Sequence, residues 1–143
     1  MIKEHIDVDY TADVIVDASY IRYSGNSGHL GHHPEVLGNF LKHPKILEFL
    51  RDFKYWFNKI SSGPRNINVL VICPRGTKRA VSGAIIAQHI VKTFDKREVE
   101  KEIHHMSWEL SEPHHRTCPA CQDTYFEESK EMFAEAEIMW SVL

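Results

Sequence analysis

Two kinds of hydrophobic pattern alternate along the chain. Val69-Leu-Val-Ile72 is an unbroken β-branched and aliphatic run, which predicts a strand buried on both faces. Ala12 to Tyr20, centred on Val14, Ile15 and Val16, predicts an earlier strand, and Glu98 to His105 a third. Between the first two, apolar residues recur at helical spacing from Pro34 onward, with a break at His43-Pro44 that divides two helices. The second of these carries Ile46, Phe49, Leu50, Phe53, Phe57 and Ile60 on one stripe and ends at Ser61-Ser-Gly63-Pro64. A further helix opens at Arg79 and carries Val81, Ala84, Ile85, Val91 and Phe94. A last one, from about Asp123, places Tyr125, Met132, Phe133, Ala136, Met139 and Trp140 on one stripe. The plain reading of that stripe is a helix covering the sheet. The alternative is a partner-binding or dimerising helix, since aromatic and Met side chains suit an adaptable interface.

Strands separated by helices predict an α/β fold, with a small, mainly parallel sheet, right-handed crossovers, helices on both faces and an appended C-terminal helix. All 143 residues form one domain, with a core over about 12–107 and a tail over 108–143. The composition agrees: 43% hydrophobic and 26% charged is that of a globular domain with a real core. No apolar run is long enough to span a bilayer and no basic-then-apolar leader follows Met1, so a soluble cytoplasmic protein without membrane association is expected. A formal charge of −3 and a pI near 6.3 give no overall nucleic-acid footprint.

The chemistry concentrates after the central strand, in Cys73-Pro-Arg75-Gly76-Thr77-Lys78-Arg79. A strand, a short glycine-containing loop and a helix start aim backbone N–H groups and the helix dipole at one spot, and Arg79 adds a fork of donors. Cys73, Arg75, Gly76, Thr77, Lys78 and Arg79 are therefore candidates for holding a phosphate. An ordinary strand-to-helix turn with a buried cysteine is the bland alternative. In parallel sheets ligands bind beyond the carboxyl ends of the strands. Asp17 and the glycine-rich loop Ser24 to Gly31, which contains His29, leave the first strand on that side; His104 and His105 lie near the end of the third, where strand alternation lets at most one of them face the cleft. Cys-x5-Arg is also the spacing of cysteine-dependent phosphatases, in which a thiolate attacks phosphorus while arginine holds its oxygens. The usual histidine before the cysteine and hydroxyl after the arginine are here Ile72 and Ala80.

The tail holds a second motif, Cys118-Pro-Ala-Cys121. Two thiolates in a tight turn can grip a zinc ion from one side, His115 supplies a third ligand, and His104 or His105 a fourth. With 3 cysteines in the chain, a four-cysteine site is excluded. Thiol redox chemistry is the alternative, though such pairs normally open a helix after a buried strand, and polar loop precedes this one. Plain surface thiols are the third reading. A structural zinc is thus the one cofactor expected, and no nucleotide cofactor is.

Across these segments the chain resembles the carboxy-terminal domain of the RapZ family of bacterial RNase adapters. The family has a strand followed by Gly-Cys-Thr-Gly-Gly-x-His-Arg-Ser-Val and a helix, matched here by Cys73, Gly76, Arg79 and Val81. Asp17-Ala-Ser-Tyr-Ile-Arg is similar to its Asp-x-Arg-Phe segment. Gly31-His-His-Pro34-Glu-Val36 and His43-Pro44-Lys-Ile-Leu-Glu-Phe49-Leu50 are similar to its next two helices. The likeness runs from about Val14 to His105. It implies binding of an amino-sugar phosphate at the loop, in a non-catalytic regulatory or adapter domain that acts through a protein partner or RNA. The loop departs from the pattern at Pro74, Arg75, Lys78 and Ala80, and Pro74 removes an N–H that a phosphate loop would use. The family's basic tail is replaced by an acidic stretch from Gln122 to Glu137, which disfavours RNA. Three functions remain open: a phosphosugar-binding module, a Cys73 phosphatase with Arg79, and a diverged interaction scaffold without ligand.

Overall fold

The computed structural model describes residues 13–22, 31, 33–60, 67–73, 79–95, 118–119 and 127–143, with Ile60 described through its backbone alone. The elements, in chain order, are β1 (Val14–Asp17), α1 (Pro34–Leu41), α2 (Ile46–Ile60), β2 (Val69–Ile72) and α3 (Arg79–Ile90). A π-helical turn (Val91–Asp95), a 3-10 turn (Glu127–Ser129) and α4 (Lys130–Ser141) complete them. The predicted third strand, Glu98 to His105, and the start of the last helix before Glu127 lie outside the described residues.

β1 and β2 pair in parallel, Val14 opposite Val69 and Asp17 opposite Ile72. The fold is therefore a small α/β arrangement with a parallel sheet and a C-terminal helix. Period-two alternation decides what β1 buries: Val14 and Val16 enter the core, while Ile15 is 57% exposed. β2 is partly exposed along its length, so the continuous apolar run of Val69 to Ile72 forms a half-buried strand in place of the fully buried one its sequence predicts. β1 is also shorter than expected. It ends at Asp17, whose carboxylate accepts the Ser19 N–H at 2.8 Å and turns the chain, and the Ile21 N–H bonds the Ala18 carbonyl at 3.1 Å.

Helix boundaries follow from local chemistry. Pro34 takes the first helical position of α1, and His33 Nδ1 accepts the Glu35 N–H at 3.1 Å as the N-cap. His43 Nδ1 does the same for the Lys45 N–H at 3.0 Å just before α2. In α2 the predicted stripe is buried at Ile46, Phe49, Leu50, Phe53 and Phe57. Each such burial contributes about 1.5–3 kcal/mol, against roughly 1 kcal/mol for a cap, so the stripe and not the cap fixes where α2 sits. Phe49 meets Phe40 of α1 edge-on with centroids 5.2 Å apart, and Phe53 packs beside Phe57 at 5.5 Å.

α2 lies on β1 and α3 on β2, and α3 comes close to both. At Gly83 the backbone approach is so tight that a Cβ would stand 2.9 Å from Phe49 Cζ and 3.0 Å from Val71 Cγ1. α3 buries Val81 and Ile85, and the helix widens at Val91 into the π turn, where Phe94 is exposed. α4 packs mainly on α1 and α3, making a helix-on-helix layer where direct cover of the sheet is the expectation. It buries Phe133 and Ala136, with Met132, Met139 and Trp140 packed against the core. The His89 ring of α3 stacks on Phe133 at 4.6 Å, and its Nε2 lies 3.3 Å from a Glu137 carboxylate oxygen. Lys54 closes the far end: its ammonium donates to the Leu143 carbonyl at 2.9 Å and lies 5.0 Å from the Trp140 ring centre.

Candidate functional site

The carboxyl ends of β1 and β2 meet the start of α3, and three side chains or backbone groups of different segments are tied there. Cys73, the residue after β2, is 4% exposed, and its sulfur accepts the Ala80 N–H at 3.3 Å. The thiol thereby serves an amide in the first turn of α3, one of the donors that a helix start leaves without an internal partner. Arg79 donates from Nη1 to the Ser19 carbonyl, so its guanidinium lies over the turn that follows β1. Ser82, fully buried one turn further on, donates from Oγ to the Gly31 carbonyl at 3.0 Å. The first turn of α3 is thus fastened to the end of β1, the end of β2 and the residue that leads into α1. That convergence is the one expected from topology for an α/β edge.

Of the residues proposed from sequence, Asp17, Cys73 and Arg79 are brought to this edge. Asp17 presents an exposed carboxylate, one oxygen of which holds Ser19. Arg75, Gly76, Thr77, Lys78 and His29 lie outside the described residues, as do His104 and His105. The zinc candidates Cys121 and His115 also lie outside them, while Cys118 is half-buried and in no disulfide. Among the described residues no group of three or more His, Cys, Asp and Glu is placed to hold a metal ion. His33 acts as the α1 cap, the structural role its position before Pro34 suggests.

Sequence reasoning missed three contributors. Ser82 carries a signal only in retrospect, as a small hydroxyl one turn into an otherwise apolar helix. The Ser19 carbonyl carries none, because a backbone acceptor has no residue signature. Tyr20 is the third. Its phenol is pushed up to about 12, first by burial and then by the negative charges of Asp52, Glu48 and Asp17. Its hydroxyl oxygen is buried without a partner in hydrogen-bond geometry, so Asp52 acts on it chiefly through charge. Tyr20 and its carboxylates mark the side of the edge where an incoming anion would be repelled, and Arg79 the side where it would be drawn in.

A cavity of about 160 Å³ lies at the other end of α3, lined in part by Lys54, Phe57, Phe94, Asp95 and Trp140. It shares no residue with the Cys73–Arg79 edge, and the chemistry of the edge does not extend to it. No helix among the described residues is long and apolar enough to cross a membrane. Comparison of the chain with protein-family models, with curated proteins and with solved structures finds no match.

Proposed function

We propose that the edge built from Asp17, Cys73 and Arg79 binds a phosphorylated small molecule, a sugar phosphate being the class in view, and does not turn it over. The observation that carries this reading is the placement of Arg79 in the first turn of α3 and over the end of β1. A guanidinium has five N–H donors in a fixed fork, and one of them on the Ser19 carbonyl holds the group still while the remainder can meet phosphate oxygens. A carboxylate repels phosphate but accepts from hydroxyl groups, so Asp17 suits the sugar end of such a ligand. The resemblance to the RapZ carboxy-terminal domain supports the same class of ligand and a regulatory or adapter role in which occupancy is passed to a protein partner. RNA is the less favoured partner, because the formal charge is −3 and α4 is rich in glutamate.

The burial of Cys73 is what separates binding from hydrolysis. An attacking sulfur must reach phosphorus, whereas this one is 4% exposed and already accepts the Ala80 N–H.

Thermal denaturation with inorganic phosphate, a hexosamine phosphate and the unphosphorylated hexosamine tests the proposal. A ligand at about one hundred times its Kd stabilises the native state by roughly 2.7 kcal/mol. The two phosphate-bearing compounds are expected to raise Tm, the free sugar to leave it, and Arg79→Ala to abolish the response. No shift with either phosphate compound would refute phosphate binding. A burst of product from an aryl phosphate that disappears in Cys73→Ser would replace this reading with the phosphatase.

A further inference from the structure

The cavity at the far end of α3 has an apolar base and a charged mouth. Phe57 of α2 and Ile90 of α3 line it while 5% and 1% exposed, whereas Phe94 and Asp95 of the π turn line it from exposed positions. Trp140 of α4 adds a third aromatic wall, and Phe53 backs its ring at 5.9 Å. Two opposite charges face the space, Lys54 from α2 and Asp95 from the π turn, and no ion pair joins these two described residues. The Lys54 ammonium donates to the Leu143 carbonyl at 2.9 Å, which uses one of its three N–H groups and leaves two. Aromatic walls with a few polar groups are the ordinary make-up of a small-molecule site. The π turn is a second, independent pointer. Such turns occur frequently at functional sites, and this one carries both Phe94 and Asp95 to the cavity.

Volume decides the size of the occupant. The cavity holds about 160 Å³, close to the roughly 150 Å³ that accepts one benzene ring and below the roughly 300 Å³ at which pockets for larger ligands begin. A nucleotide is too large. Charge decides the polar groups. A simple aromatic acid would satisfy Lys54 and set a like charge near Asp95, and a simple aromatic amine would do the reverse. A molecule with an acid and a hydrogen-bond donor satisfies both. The three aromatic side chains favour a planar ring, which can meet them stacked or edge-on, over an aliphatic one. We infer that the cavity binds a monocyclic aromatic acid that carries a hydroxyl or amino group. Its carboxylate meets the free donors of Lys54, its donor meets the Asp95 carboxylate, and its ring lies among Phe57, Phe94 and Trp140.

Nuclear magnetic resonance of the full chain tests this, with the Trp140 indole N–H as reporter, assigned by its loss in Trp140→Phe. The probes are the isomers of hydroxybenzoate, with benzoate, phenol and cyclohexanecarboxylate for comparison, each to about 20 mM. For a ligand of about ten heavy atoms, a Kd on the order of 1 mM is expected for the hydroxybenzoate that best spans the two charges. The three comparison compounds should bind roughly tenfold more weakly or worse. Lys54→Met keeps the aliphatic stem and should erase the advantage of hydroxybenzoate over phenol, and Asp95→Ala its advantage over benzoate. Phe94→Ala, at an exposed position, should weaken every aromatic probe. Arg79→Ala should change none, which separates this site from the phosphate edge. Circular dichroism confirms that each variant is folded. An indole signal unmoved by every hydroxybenzoate, equal binding of cyclohexanecarboxylate, or an unchanged preference in Lys54→Met or Asp95→Ala would overturn the inference.

Discussion

Gly83→Ala adds a single methyl group where the α3 backbone comes close to α2 and β2. Ordinary carbon–carbon contacts fall at about 3.5–4.0 Å. The new Cβ would lie 2.9 Å from Phe49 Cζ, 3.0 Å from Val71 Cγ1 and 3.3 Å from Phe49 Cε2. Neither neighbour is a flexible chain end. Phe49 is fully buried and backed edge-on by Phe40 at 5.2 Å, and Val71 belongs to β2, which is paired with β1. Relief therefore requires α3 to lift from the sheet or the Phe49 ring to displace Phe40. Overpacking of this kind costs typically 1–3 kcal/mol, while replacing glycine in a helix interior returns at most about 1 kcal/mol. The clash wins, and a net loss of about 1–2 kcal/mol is expected. For a chain of this size that lowers Tm by roughly 3–8 °C. Calorimetry and urea denaturation measure it, and the loss should shrink in a Phe49→Leu background, where the ring that obstructs the methyl is gone. If Gly83→Ala melts at or above the parent, helix propensity has outweighed packing and the close approach of α2, α3 and β2 is wrong.

Arg79→Ala removes the bond to the Ser19 carbonyl as well as a phosphate contact. It should cost about 0.5–1.5 kcal/mol of stability without any ligand, and an unchanged apo Tm would show that Arg79 does not fasten β1 to α3. Tyr20 titrates at about 12 in the folded chain against 10.0 when unfolded, so its contribution to stability is complete below pH 10 and lost as the pH rises through 12. In Tyr20→Phe the fall in Tm across that window should be shallower than in the parent, and parallel curves would dismiss the carboxylate environment. Cys118 and Cys121, with His115, are expected to hold one zinc per chain; metal analysis of protein purified without chelator should find it, and Cys118→Ser should lose it. Zinc well below one equivalent in the parent would leave them as plain thiols.

Legibility in the sequence followed the distance over which each feature is determined. The α2 stripe and the break at His43-Pro44 are set by residues within one or two turns, and they appear in the structure as the periodicity predicts. The apolar pattern centred on Val14 to Val16 extends the expected strand to Tyr20, whereas β1 ends three residues earlier because the Asp17 carboxylate bonds two residues ahead. The π turn has no compositional mark, so nothing in the sequence announces the widening at Val91 or the exposure of Phe94. At the candidate site, Cys73, Arg79 and Asp17 were legible from the strand–loop–helix pattern. What Arg79 touches, and what surrounds Tyr20, was not. Ser19 lies 60 residues from Arg79, and Asp52 is on a different element from Tyr20, so only the folded chain brings them together.

The parallel pairing of β1 and β2 also dictates an order of assembly. Asp13 and Asn68, at the head of the ladder, exchange two bonds across 55 residues, the Asn68 N–H to an Asp13 carboxylate oxygen and the Asp13 N–H to the Asn68 carbonyl. Closing so long a segment costs chain entropy before any ladder bond repays it. α1 and α2 fill that segment, and once they pack through Phe40 and Phe49 the effective loop is short. Helix pairing is therefore expected to precede strand pairing on the folding route. Phe49→Leu should slow refolding, while Ala136→Gly in α4, which docks from outside the loop, should mainly hasten unfolding. Stopped-flow measurement of both rates distinguishes the two.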